Sequence, residues 1–188
     1  MKKMEFELTL RSQTFVVWEI FQKALMLVGA VLLLDHFRPG YLSFWASGMC
    51  ILWVVGDLAP TLILHAQYFY YNAGWKILID RASQTITVLR SEKSSVFKFK
   101  DIQRIVVSMG YATYHGRKGG VNIFDLYHYA YIQLVDGSSL VITCLLVNDL
   151  QELFRELGLG FVKEWRFYMW IDTGRYTPQP GVLDEWSR

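Results

Sequence analysis

Residues 15–64 read FVVWEIFQKALMLVGAVLLL (15–34), DHFRPG (35–40) and YLSFWASGMCILWVVGDLAPTLIL (41–64), and the reading of these two apolar runs decides the fold. The first run, Phe15 to Leu34, has the length that crosses ~30 Å of hydrocarbon at ~1.5 Å per residue. Glu19 and Lys23 interrupt it at i, i+4 spacing, which puts them on one helix face where they can pair. The second run carries no charge from Tyr41 to Gly56 and resumes beyond Asp57 with Leu58, Ala59 and Leu62 to Leu64. Trp18, Tyr41, Phe44, Trp45 and Trp53 supply the aromatic content of a membrane interface, and Gly29, Ala46, Ser47 and Gly48 would let two helices approach closely. Together the runs predict a two-helix transmembrane hairpin over about residues 14–35 and 41–64, with Pro60 ending or kinking the second helix near Asp57. Lys2, Lys3 and Arg11 precede the first run, whereas the linker holds Arg38 offset by Asp35, so both termini are expected on the cytoplasmic side.

Outward from the hairpin the periodicity changes. Met4, Phe6, Leu8 and Leu10 alternate with Glu5, Glu7 and Thr9, which predicts a short strand ahead of the first helix that pairs with the later domain. Beyond Leu64, the segments WKILID (75–80), ITVLR (86–90) and VFKFKDIQRIVVSM (96–109) are rich in β-branched and aromatic residues and separated by turn residues, the pattern of an antiparallel meander. Residues 127–135 and 139–146 read as a hairpin around Asp136-Gly137, with Ile132 and Leu134 facing Leu140 and Ile142. NDLQELFRELG then repeats Leu150, Leu153, Phe154 and Leu157 at helical spacing, with Asn148 expected to cap, Gln151 at the capping-box position and Gly158 as terminator. FVKEWRFYMWI predicts a final strand, and the Pro- and Gly-containing stretch after it a tail that is either mobile or docked only through Val182, Leu183 and Trp186. The expected organisation is a strand plus hairpin (1–66), a small β domain (67–172) and a tail (173–188).

ILIDRASQTITVL, VFKFKDIQRIVV with its Phe97, Asp101 and Ile102, and YIQLVDGSSLVITCLLVNDLQELFRELG resemble bacterial membrane proteins with a two-helix transmembrane hairpin and a pleckstrin-homology-like (PH-like) domain. The resemblance covers roughly residues 64–172 and implies an α+β fold, in which the hairpin precedes a small antiparallel β-barrel capped by one C-terminal helix. It also implies an inner-membrane protein with its domain in the cytoplasm and no shared catalytic residues. The partners that follow are the lipid bilayer and a protein partner or self-association. In layout the chain is also similar to the two-transmembrane β-barrel effectors of cyclic-oligonucleotide antiphage systems, which would make a small nucleotide the ligand and membrane disruption the activity. An immunity protein against a membrane-directed toxin fits the same layout.

Composition narrows the chemistry. A net charge of +2 does not indicate a nucleic-acid polymer as partner. Cys50 and Cys144 form neither a disulfide framework nor a metal or redox motif, and the first apolar run begins too late for a signal peptide, so it is expected to be retained. No GxSxG or Cys-His signature marks a nucleophile, and no second His or Cys stands at ligand spacing from His128, so no enzyme activity, cofactor or metal is expected. In residues 110–126, GYATYHGRKGGVNIFDL, the candidate ligand residues are Tyr114, His115, Arg117 and Lys118, where flexible backbone amides and two cations suit a phosphate or anionic headgroup. The alternative there is a solvated hairpin loop. Glu19, Asp57 and His65 read as interfacial groups in preference to a proton relay, and Tyr127, Tyr129 and Tyr131 share one strand face that serves either for stacking on a base or for sheet packing.

Overall fold

The computed structural model describes residues 3–8, 10–37, 48, 51–90, 93–116 and 123–172. Strand β1 (Met4–Glu7) is followed by helix α1 (Leu10–Phe37); a π-helical turn (Val54–Leu58) runs directly into α2 (Ala59–Asn72). Then come β2 (Trp75–Asp80), β3 (Thr85–Arg90), β4 (Lys93–Lys98), β5 (Ile102–Met109), α3 (Tyr111–Tyr114), a 3-10 turn (Ile123–Leu126), β6 (His128–Leu134), β7 (Ser139–Thr143), α4 (Leu150–Glu156) and β8 (Val162–Trp165).

The strands form two four-stranded sheets, ordered β1-β2-β3-β4 and β7-β6-β5-β8. The first is antiparallel throughout, and β1 pairs with β2 with Phe6 opposite Ile77, so the strand ahead of α1 does join the later domain. In the second sheet β8 lies parallel to β5 while the other pairs are antiparallel. The β6–β7 hairpin has the expected turn and places Ile132 opposite Leu140, with Gly137 at φ +82° where a side chain would be strained.

Alternation along the strands builds a core on each face of the second sheet. Between the sheets lie Ile77, Ile79, Ile86 and Val88 against Ile105, Val107, Met109, Ala130, Ile132, Leu134, Leu140 and Ile142, closed at one end by Leu150, Leu153 and Phe154 of α4. The opposite face of the second sheet holds Tyr127, Tyr129, Tyr131 and Val141, covered by Leu64 and Tyr68 of α2 and by Met169 and Ile171. All seven residues of β6 are consequently buried. Each fully buried side chain of this size contributes roughly 1.5–3 kcal/mol.

The expected two-helix transmembrane hairpin is not what the structure contains. Among the described residues no helix is long and apolar enough to cross a membrane. The first run forms a single helix with Glu19 and Lys23 inside it. The second run falls partly on residues outside the description (41–47, 49 and 50), and its described part is divided by the π-helical turn that holds Asp57. Pro60 sits in the first turn of α2, immediately after the π-helical turn. The helix then passes Leu64 and continues to Asn72, because Thr61, Leu64, Tyr68 and Asn72 recur at helical spacing and are buried on the second sheet. A run of apolar letters here conceals a docking helix.

The ends of the other elements are set by side chains. Asp149, and not Asn148, caps α4: its Oδ1 accepts from Glu152 N at 2.8 Å, so Glu152 takes the third helical position and Gln151 instead donates to Met109 Sδ at 3.4 Å. Gly158 (φ +69°) ends α4 as expected, with Leu159 N donating to Phe154 O and Gly158 N to Arg155 O, a Schellman pair. Asn72 closes the free edge of β7: its Nδ2 donates to Val141 O at 3.0 Å and its Oδ1 accepts from Thr143 N at 2.8 Å.

Candidate functional site

The end of the second sheet where β5 and β8 finish and β6 begins is also where the helices are fastened to it. Asp57, only 6% exposed, accepts at Oδ1 from Ile123 N (2.7 Å) and pairs through Oδ2 with Lys23 Nζ (3.5 Å), while Thr61 Oγ1 donates to the Asp57 carbonyl at 2.6 Å. A buried carboxylate is stable only when satisfied in this way. One turn further on, His65 Nε2 lies 3.3 Å from Gln13 Oε1 and its Nδ1 3.0 Å from the Tyr127 hydroxyl. The Nε2–H tautomer satisfies both, with Nδ1 accepting from Tyr127. Burial lowers the basicity of His65 and raises the pKa of the Tyr127 phenol. Asp57 and His65 therefore act as separate fasteners between helix and sheet. The side chain of Glu19 lies outside the described residues.

Residues 166–171 strap the outside of α2. Tyr168 donates to Pro60 O (3.0 Å), Tyr68 to Met169 O (2.9 Å), and Gln67 exchanges two bonds with Ile171, Nε2 to its O at 3.3 Å and Oε1 from its N at 3.0 Å. Arg166 N donates to Met109 O at 3.1 Å, and its guanidinium reaches Glu164 Oε2 and lies over the Tyr129 ring. The hold of Tyr168, Met169 and Ile171 on α2 was not legible as local pattern, since their partners there are about a hundred positions away.

Of the four candidate ligand residues, Tyr114 and His115 are placed at the end of α3, where the His115 ring lies tilted to Tyr111 (ring centroids 4.5 Å) and edge-on to Tyr114 (5.2 Å). Arg117 and Lys118 lie outside the described residues. Gly110 allows α3 to sit against the 3-10 turn: a Cβ there would stand 2.5 Å from Asp125 O. Tyr111 in turn meets Trp165 of β8 edge-on at 6.3 Å, giving a rim of half-exposed rings at this end of the sheet.

The tyrosine stripe resolves toward packing. Tyr127, Tyr129 and Tyr131 are buried under α2, with Tyr68 set edge-on to Tyr127 (5.1 Å) and Tyr129 (6.1 Å), so no face is left for a nucleobase. His128 is buried with its Nδ1 3.1 Å from Leu126 O, and burial lowers its basicity. The Cys144 thiol is buried and pushed up to about 12, which makes it unreactive. Among the described residues no group of three or more His, Cys, Asp or Glu is placed to hold a metal ion.

A family model described as a PH domain matches residues 5–153, from β1 into α4. The chain belongs to the PH-domain family. The PH-like part of the resemblance therefore stands, and the membrane hairpin attached to it does not. The match to the PH domain ends within α4, before β8 and the strap over α2. No curated protein and no solved structure matches the chain. A PH domain points to a protein- or lipid-binding module.

Proposed function

We propose that this chain is a non-enzymatic binding module whose partner is a lipid bilayer, held at the surface through the apolar outer face of its helices. The observation that carries the reading is the distribution of exposed apolar side chains on α1. Trp18, Phe21, Leu25, Met26, Val28, Leu32 and Leu33 are all exposed. At about 100° per residue they spread over an arc of roughly 160°, wider than the narrow seam that a single partner helix covers. The opposite side of the same helix holds the groups that engage the domain: Gln13 at His65, Lys23 at Asp57, and Ile20 against the tyrosine core. Ile51, Leu52, Val55, Leu62 and Ile63 add exposed apolar surface beside it. Contiguous apolar surface of this extent marks an interaction site, and its breadth suits an apolar medium.

The proposed location, the cytoplasmic face of a bacterial inner membrane, rests on the resemblance and on Lys2, Lys3 and Arg11 ahead of α1. The test is flotation of the full chain with vesicles of phosphatidylethanolamine and phosphatidylglycerol. The chain is expected to rise with the vesicles, and Leu25→Glu with Leu32→Glu to return it to the bottom of the gradient. Failure of the unaltered chain to float at any lipid concentration overturns the lipid partner in favour of a protein one.

A further inference from the structure

A rim of aromatic rings lines the fastened end of the second sheet. Tyr111 and Tyr114 of α3, Trp165 at the end of β8, and Phe167, which is 74% exposed, all present ring surface to the outside. Their backbones are rigidly referenced to the helices. Phe167 meets Phe124 at 6.3 Å, the neighbouring Ile123 amide is bonded to Asp57, and Tyr168 is bonded to Pro60. The rim is thereby tied to the π-helical turn, whose Val54 and Val55 expose apolar side chains.

We propose that this rim is a second lipid contact: the rings of Tyr111, Trp165 and Phe167 enter the headgroup layer, so that the domain lies with this end of its second sheet against the bilayer. The inference rests on the lipid reading of the helices and adds to it an orientation of the PH domain. Two features favour lipid over a protein partner. Tyrosine and tryptophan present an apolar body with a polar tip, the chemistry that prefers the boundary between acyl chains and water. The rim also borders an exposed apolar helical surface far wider than the patch of four rings itself, so one medium covers both. The far end of the same sheet is different in kind: the β6–β7 turn exposes Asp136, Gly137 and Ser138, with Val135 the one large apolar group among them. β6 separates the two ends by seven residues, roughly 23 Å at ~3.3 Å per residue.

The experiment places a bimane label at Phe167→Cys or, separately, at Val135→Cys, in the full chain carrying Cys50→Ser; buried Cys144 does not compete for label. Vesicles with a nitroxide near the headgroup report lipid contact, and aqueous iodide reports water contact. The label at 167 is expected to be quenched several-fold more by the lipid-borne nitroxide than by iodide, and the label at 135 the reverse. If the chain floats but the label at 167 is reached by iodide and not by lipid, the orientation is wrong while the lipid partner stands. If the chain does not float, both are wrong. Shielding of 167 from both quenchers would overturn the proposal in favour of a protein contact at the rim.

Discussion

Asn72 is the last residue of α2, wholly buried, and its amide completes two backbone groups of an edge strand. Replacing it with leucine preserves much of the volume but leaves Val141 O and Thr143 N without partners in a site water does not reach. Each orphaned buried backbone group costs roughly 1–3 kcal/mol, so Asn72→Leu is expected to destabilise by about 2–6 kcal/mol. For a chain of this size that corresponds to a fall in melting temperature on the order of 4–24 °C, at ~2–4 °C per kcal/mol. Asn72→Asp separates the two bonds: the carboxylate still accepts from Thr143 N but faces the Val141 carbonyl oxygen with no hydrogen to offer. Its cost should rise with pH as the carboxyl ionises, a dependence Asn72→Leu lacks. The assay is urea unfolding at several pH values, with hydrogen exchange of the Thr143 amide as the local readout. An Asn72→Leu protein within about 0.5 kcal/mol of the parent, with the Thr143 amide still protected, would refute the edge-closing role.

Two further outcomes follow from the packing and the titrating groups. Gly110→Ala drives a Cβ to within 2.5 Å of Asp125 O, backbone that cannot turn aside; a loss of about 1–3 kcal/mol is expected in thermal unfolding, and an unchanged melting temperature would show that α3 is free to shift. His65 and His128 both have their basicity lowered by burial below the ordinary 6.5. The unfolded chain therefore takes up protons first, and stability present above about pH 6.5 is lost as pH falls toward the folded values. Melting temperature should drop between pH 7 and pH 5, a window in which Asp80 and Asp136, whose pKa values lie below 3.8, do not titrate. Substituting both histidines with glutamine should flatten that slope; an unchanged slope would assign it to other groups.

Alternation of residue type was enough to find β1, β2, β3, the β6–β7 hairpin, the amphipathic α4 and the glycine that ends it, because those features depend on neighbours a few positions apart; β4 and β5 read as one segment (96–109), since no Gly or Pro marks the 3-10 turn Phe99–Asp101 that divides them. The PH-like arrangement was legible for the same reason. Three things were not. The run ending in TLIL has the composition of a membrane segment, yet α2 extends past it to Asn72, since what decides its role is the sheet it covers sixty to eighty residues later. Tyr127, Tyr129 and Tyr131 could be placed on one face from spacing alone, but whether that face meets a ligand or Tyr68 depends on where α2 docks. The cap of α4 moved by one residue because Asn148 and Asp149 are both competent acceptors, and only the backbone geometry chooses between them.

By itself, then, the chain determined most of its strand pattern, the termini of α4 to within a residue, and the presence of a broad apolar surface near the N-terminus, whereas α1 runs Leu10–Phe37 in place of 14–35 and α2 reaches Asn72 in place of 64. The tertiary structure decided which apolar residues are covered: Leu64 and Tyr68 by the second sheet, with the outer arc of α1 left open. Hydrophobicity is a property of each side chain, but burial belongs to the pair of surfaces that meet, and the second surface is supplied by distant sequence.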